Sequence, residues 1–350
     1  MCIRFHALVL LLIWLALGIS TTAEAQERIP LRVDLGGYAS INKIPFVIAH
    51  EKGIYEKNGL DVDQFVSSSA TEVTRVVREL WFNLFKSSLN MPHQPIRPPN
   101  DRAPISIGGG MPHTLRRTTN ANWTDWIVLA TTDHVVRWHI VAQPEITSLE
   151  QLKGKRLGFS NVGAMTHYIA LILADKMGWD PVQDISLISG AQSYHMLENG
   201  IVDAFIAFEV PYADAVAAGY KSLFDTRVWD IPVAGSGVNA SESWLRDNRE
   251  SARRFIKSLV EAIALMKKDK DVAFRAMAKW YNITDPQKQE LIYAGAAEMP
   301  SKPYPAVAGL KKMMEIYDSN EMRKYKPEDF YDDSFVRELD ESGFIDSLYK

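Results

Sequence analysis

The chain has 350 residues, with 39 Lys and Arg against 43 Asp and Glu, a formal net charge of −4. That mild acidity, with the basic residues dispersed rather than gathered in a stripe, argues against a nucleic-acid partner. Hydrophobic residues make up 47% of the sequence, enough for a large core, and the length fits about two domains. Cys2 is the single cysteine and lies ahead of a hydrophobic leader, so a chain cut after that leader has no disulfide, no thiolate nucleophile and no thiolate metal ligand.

Arg4 precedes an apolar run from Ala7 to Gly18, and Ala23-Glu24-Ala25 supplies the small-x-small pattern cut by signal peptidase. Residues 1–25 are therefore expected to be a signal peptide, with the mature chain starting at Gln26. The run is short for a membrane span and no later stretch approaches that length, so a soluble, exported, periplasmic protein is expected. Cys2 stands on the wrong side of the run for the anchored cysteine of a lipoprotein.

Leu31-Arg-Val-Asp-Leu35 alternates as a strand does and runs into Gly36-Gly37-Tyr38. Ile44 to Lys52 reads as a helix stopped by Gly53, and Asp61 to Val66 as a second strand. Ser69-Ala70-Thr71-Glu72 forms a capping box ahead of Val73, Val76, Val77 and Leu80 at helical spacing. Met91 to Pro104 holds five prolines and is read as irregular, followed by a short strand Ile105-Ser106-Ile107 and the run Gly108-Gly109-Gly110. Trp126 to Pro144, rich in Val, Ile, Trp and Thr, reads as an extended crossing.

The pattern then repeats. Leu157 and Phe159 mark a strand, Ser160 or Asn161 can cap a helix, and Met165, Tyr168, Ile169, Ile172 and Leu173 form one helical face ending near Gly178. Asp184 to Ser189 is another strand, Gln192 to Asn199 a short helix ended by Gly200, Val202 to Ile206 a third strand, and Val210 to Ala218 a helix closed by Gly219. Val233 to Ser243 is a second extended crossing, and the chain is strongly helical from Asn248 through Met266 to Tyr281. Strands separated by helices imply βαβ units. The expectation is an α/β protein of two lobes with parallel-dominated sheets flanked by helices. Lobe 1 takes residues 26–135 and 236–350, lobe 2 residues 136–235, and two crossing strands form the hinge.

Three stretches carry a resemblance: Pro45-Phe-Val-Ile-Ala-His-Glu-Lys-Gly-Ile-Tyr-Glu-Lys-Asn-Gly-Leu60 after Gly36-Gly37-Tyr38, Ile146 to Ser160 with its Leu152-Lys-Gly-Lys-Arg156 phrase, and Leu197-Glu-Asn-Gly-Ile-Val-Asp-Ala204. Together they resemble the nitrate/sulfonate/taurine and thiamine-pyrimidine group of ABC-transporter solute-binding proteins over roughly Arg32 to Lys279. The resemblance implies a two-lobed, type II periplasmic-binding-protein fold that closes on a small solute, with an ABC permease as partner and no reaction catalysed. One departure is visible. The short Gly-x-Val-Asp-Phe-type phrase that usually ends the first-lobe helix is replaced by Trp81 to Phe85 and the proline-rich loop, which reads as a surface insertion.

A strand running into a helix presents the helix's first backbone N–H groups, and its dipole, to whatever sits above the strand end. That places Ser160, Asn161, Gly163, Ala164, Met165 and Thr166 at a candidate solute site. The corresponding first-lobe loops add Gly37, Tyr38, Ser69, Ala70, Gly110 and Met111. Tyr194 and Tyr212 fall at strand ends where a ring can box in a solute, or pack at the lobe surface. Glu209, ahead of Pro211, occupies a position where the resembled family places a cleft residue. A carboxylate there favours an amine or ring N–H and the helix start favours an anion, so an organic anion, a zwitterion or an aminopyrimidine is expected, bound by a monomer. Two further classes stay open: an enzyme on the same scaffold, and a solute sensor for a membrane receptor.

Competing chemistry finds little support. Gly158-Phe-Ser160-Asn-Val-Gly163 has one residue too many for a nucleophile elbow. Gly108-Gly109-Gly110 lacks the Lys-Ser/Thr of a phosphate loop, and Gly235-Ser236-Gly237 lacks the later glycine of a dinucleotide turn, so both are read as backbone turns near a ligand. His50-Glu51 is followed by Ile54 where a zinc helix needs His. No catalytic residue, metal or cofactor is expected.

Overall fold

A computed structural model of the chain describes residues 27–36, 40–67, 96–97, 103–109, 125–160, 162, 164–234 and 236–350. In β1 (Ile29–Asp34), Leu31 and Val33 are buried between half-exposed neighbours, as the period of two requires. Then come α1 (Ile44–Glu51), α2 (Ile54–Lys57), β2 (Leu60–Ser67), β3 (Ile96–Arg97), β4 (Ile105–Gly109) and β5 (Trp126–Thr131). The break between α1 and α2 is made by Gly53, whose φ of 64° suits glycine. The second unit holds β6 (His139–Ala142), β7 (Arg156–Phe159), α3 (Met165–Met177), β8 (Ser186–Ser189), α4 (Tyr194–Glu198), β9 (Ala204–Ala207), α5 (Glu209–Ala217) and β10 (Ser222–Asp225). The chain returns as β11 (Ser236–Ser241), then α6 (Glu242–Lys268), α7 (Lys270–Tyr281), α8 (Pro286–Ala297), α9 (Val307–Ile316), α10 (Ser334–Glu341) and α11 (Phe344–Ser347).

Among the described residues these strands form two mixed sheets, ordered β3-β2-β1-β4-β11-β5 and β10-β6-β9-β7-β8. β1 is parallel to β2 and β4, β2 to β3, and β7 to β8 and β9. Antiparallel pairs enter where the chain crosses between units: β11 lies between β4 and β5, and β6 between β9 and β10. The α/β class read from the sequence is the class observed. No described helix is long and apolar enough to cross a membrane.

Two local readings are corrected. Within the proline-rich stretch, Ile96 and Arg97 pair with Val66 and Ser67 as an edge strand. Gly108 and Gly109 are not a turn but the end of β4, opposite Gly237 and Ser236 of β11. Gly237 is needed for close approach, because a β-carbon there would stand 2.0 Å from the Ala130 carbonyl oxygen. The capping-box helix after Ser69 lies outside the described residues.

The hinge is more heavily built than two strands. Residues 132–138 lead out of the first sheet and residues 231–234 lead back, bridged at Val135 and Pro232. A third pass runs along the end of β5: the Thr131 amide donates to the Pro303 carbonyl, and the Ala306 amide donates to the Thr131 hydroxyl. The chain then spends residues 306–330 on the second lobe, where Ala306, Leu310, Met313, Met322 and Phe330 are buried with Ile140, Leu157, Tyr168 and Ile206. It returns beside β5, where Tyr331 bridges Val128 and the Asp332 amide donates to the Val128 carbonyl. Residues 236–350 therefore do not all pack with the first lobe. Gly309 of α9 seats the excursion directly on the return crossing, since a β-carbon there would lie 1.9 Å from the Val233 carbonyl carbon.

Candidate functional site

At the β7–α3 joint, Ser160 is buried and its amide donates to the Thr166 hydroxyl at 2.9 Å. The two hydroxyls lie 2.6 Å apart. The Ser160 carbonyl accepts from the Gly190 amide at 2.7 Å, which ties the loop after β8 to the same point. The helix begins later than the sequence suggested. Its N-cap is Ala164, which has no side-chain acceptor, because Ser160 is spent on Thr166. Met165 is buried in the second core. Ser160, Ala164, Met165 and Thr166 thus share one joint, with first-turn amides that no N-cap side chain covers.

Glu209 opens α5. It is hemmed in by protein yet keeps part of its surface on water. Its Oε1 accepts from the Trp138 indole N–H at 3.0 Å. Burial, helped by the charge of Asp133, pushes its carboxyl up to about 7, against the pull of Trp138 and Arg137. Asp133 on the outgoing crossing is buried, and burial pushes it up to about 6 although Arg137 pulls the other way. Its Oδ1 has no hydrogen-bond partner. Arg137 is engaged by Glu298 at 3.2 Å.

The first-lobe side presents a base. Lys43 is buried in the turn before α1, and burial lowers its ammonium to about 7 despite the charge of Asp34. Its Nζ lies 3.5 Å from where a β-carbon on Gly36 would be, at the mouth of the loop after β1. The Tyr281 hydroxyl donates to the Ser40 carbonyl at 2.9 Å and closes this turn against α7.

Tyr212 stacks on His139 with ring centroids 3.6 Å apart, and Tyr194 lies tilted by 38° against His195 at 4.0 Å. Both pack against the cluster of Val141, Leu197, Phe205 and Ala207 on one face of the second sheet. Gly37, Tyr38, Ser69, Ala70, Gly110, Met111, Asn161 and Gly163 lie outside the described residues. Sequence reading missed Asp133, Arg137, Trp138 and Lys43. The signal was present in an Asp and an Arg four residues apart inside a crossing otherwise rich in Val and Trp, and in a Lys flanked by Ile41 and Ile44. Among the described residues, no group of three or more His, Cys, Asp or Glu gathers as metal ligands.

Residues 128–273 match the family described as NMT1/THI5 like. Two solved structures align over nearly their whole length. The periplasmic aliphatic sulphonate binding protein SsuA from Escherichia coli is 17% identical, with a TM-score of 0.61 over 86% of this chain and 98% of that one. The periplasmic nitrate-binding protein NrtA from Synechocystis PCC 6803 is 13% identical, with a TM-score of 0.67 over 93% and 92%. This chain has the periplasmic binding protein fold. The desulfurization enzyme DszB shares that fold, at 15% identity and a TM-score of 0.60 over 90% and 99%. No curated protein matches the chain. At such identities the likeness speaks for the periplasmic binding protein fold, which hosts both binding proteins and an enzyme, and the chemistry rests on the site.

Proposed function

We propose that this protein binds a small solute between its two lobes in the periplasm and delivers it, as a monomer, to an ABC-type import permease in the inner membrane. Residues 1–25 serve as the cleaved signal peptide. Residues 26–135 with 236–305 and the C-terminal helices form one lobe, and residues 136–235 with the 306–330 excursion the other. The observation that carries the reading is Glu209: a desolvated carboxyl group between the lobes, coupled to Asp133 and still reached by water. A fold gains little stability from such a group, and a solute that brings N–H donors gives it a purpose. Lys43 and the uncapped start of α3 suit an anionic group. The favoured solute therefore carries both, as a zwitterion does, ahead of a simple organic anion or an aminopyrimidine.

Binding rather than turnover is supported by the state of the serine at the joint. The Ser160 hydroxyl bonds the Thr166 hydroxyl, which is not a base. The test is mass spectrometry of small molecules released from purified, denatured protein, followed by calorimetry and small-angle scattering with the solute found. Tight binding without chemical change, a smaller radius of gyration, and a loss of at least tenfold in affinity for Glu209→Gln are expected. Conversion of the solute would favour an enzyme instead, and undiminished affinity in Glu209→Gln and Lys43→Ala would remove both residues from the site.

A further inference from the structure

The four passes between the lobes change from one core to the other at a common level. On the outgoing pass Leu129 and Ala130 are buried in the first core and Val136 in the second, and on the return pass Val233 and Ala234 belong to the second core and Val238 to the first. On the third pass Tyr304 packs against the first core while Ala306 is buried in the second. On the fourth, Phe330 lies in the second core and Phe335 in the first. A swing of one lobe against the other therefore turns within residues 131–136, 234–238, 304–306 and 330–335, because backbone angles change cheaply only where neither packed core holds the chain.

His134 stands at that level and joins three of the four passes. Its ring Nε2 lies 3.0 Å from the Tyr304 carbonyl oxygen on the third pass and 3.2 Å from the Thr131 carbonyl oxygen at the end of β5. Its own carbonyl accepts from the Val233 amide of the return pass at 3.0 Å. Carbonyl oxygens only accept, so Nε2 carries the ring proton and divides it between the two. Burial, helped by the charge of Arg137, holds the ring below its ordinary pKa against the pull of both carbonyls, and it is neutral at pH 7. Tyr304 is anchored in its turn, its hydroxyl donating to Asp340 of α10 at 2.9 Å. A ladder bond breaks when its strands shear, whereas an N–H shared by two carbonyls can lean from one to the other as the chain turns. We propose that His134 is the pin of the hinge: its ring holds the outgoing crossing and the third pass together while the lobes turn about it, and so sets how far they part. The bearing on solute capture rests on the proposed function; the pin itself does not.

The test uses the mature protein free of solute, so its failure is separate from any failure to bind one. Amide hydrogen exchange read by NMR, together with small-angle scattering, compares the parent with His134→Ala, which removes the donor, and with His134→Gln, whose side-chain amide keeps one. In His134→Ala the Thr131, Val233 and Ala306 amides are expected to exchange at least about tenfold faster, while those of Val33 and Ile169 in the two cores are unchanged. The radius of gyration should grow in the same variant, and His134→Gln should restore both readings toward the parent. Equal acceleration at every amide would mark His134 as merely structural, and unchanged exchange at the three hinge amides or an unchanged radius would overturn the pin. Should His134→Ala fail to fold, nitrogen NMR of the parent's ring decides: a neutral ring protonated at Nε2 supports the shared donor, and one protonated at Nδ1 refutes it.

Discussion

Gly309→Ala probes how the C-terminal excursion is seated. The added β-carbon would lie 1.9 Å from the Val233 carbonyl carbon and 2.0 Å from the Ala234 nitrogen. Both are backbone atoms of a crossing that cannot rotate aside. Contact distance between such atoms is about 3.5–4.0 Å, so α9 must back away by about 1.5–2 Å. That retreat draws Leu310 and Met313, each 1% exposed, part-way out of the second core. Overpacking of this kind costs about 1–3 kcal/mol, more when backbone is struck, and replacing a helical glycine returns about 0.5–1 kcal/mol. A net loss of up to about 2.5 kcal/mol follows, nearer that upper end because backbone is struck, or a fall in melting temperature of up to about 5–10 °C. Gly295→Ala is the control: its β-carbon would meet only the Ile41 Cδ1 at 3.5 Å and the Glu209 Cγ at 3.7 Å, so it should melt at or slightly above the parent. The assay is scanning calorimetry of the three proteins side by side. Equal or higher melting of Gly309→Ala would show that α9 does not rest on the crossing.

Asp203→Asn opens the two-pronged contact of Arg156, whose Nε and Nη2 stand 3.0 Å and 2.8 Å from the carboxylate oxygens. Hydrogen bonding from Arg156 holds that carboxyl below its ordinary value, so its stabilisation is present above about pH 4 and lost as pH falls below that. Urea titrations should show a gap of about 1 kcal/mol at pH 7 that narrows as pH falls below about 4, and a gap that does not narrow would refute the assignment. Thr166→Val strips the buried Ser160 amide of its acceptor and should cost about 1–3 kcal/mol, recovered in Thr166→Ser; equal stability of the two variants would mean the hydroxyl is dispensable. Sequencing of the exported protein should begin at Gln26, and an intact Met1 would defeat the signal-peptide reading.

The phrases that made the fold legible turn out to be scaffold. Lys57-Asn58-Gly59 docks the end of α2 on α6: Lys57 pairs with Glu261 at 3.0 Å and the Asn58 amide reaches the Ser258 hydroxyl at 3.1 Å. The Arg156 and Asp203 phrases, 47 residues apart, meet as one ion pair beside β7. Such contacts recur because the fold needs them, so they announce architecture and say little about a solute. The site was less legible because its charged members gain meaning from packing. Asp133 and Arg137 lie in a segment read only as an extended crossing, and the structure buries Asp133 and sets the half-buried Arg137 against Glu298 at the end of α8. Apolar periodicity placed α3, but the cap expected at Ser160 or Asn161 falls at Ala164 instead, and the Ser160 hydroxyl meets that of Thr166, six residues on in the first turn of α3. The four-pass hinge was hidden for a similar reason: residues 306–330 carry ordinary helical patterning, and nothing in it says which lobe the helix will cover.

That excursion orders the assembly of the molecule in time. The second sheet is complete once Asp225 has been made, yet its core still lacks Leu310, Met313, Met322 and Phe330. Chains are made from the N-terminus, so residues 136–235 wait through some hundred further residues with Ile140, Leu157, Tyr168 and Ile206 short of their final cover. A lobe that cannot close early stays loose during synthesis, and it locks only when the last fifty or so residues arrive.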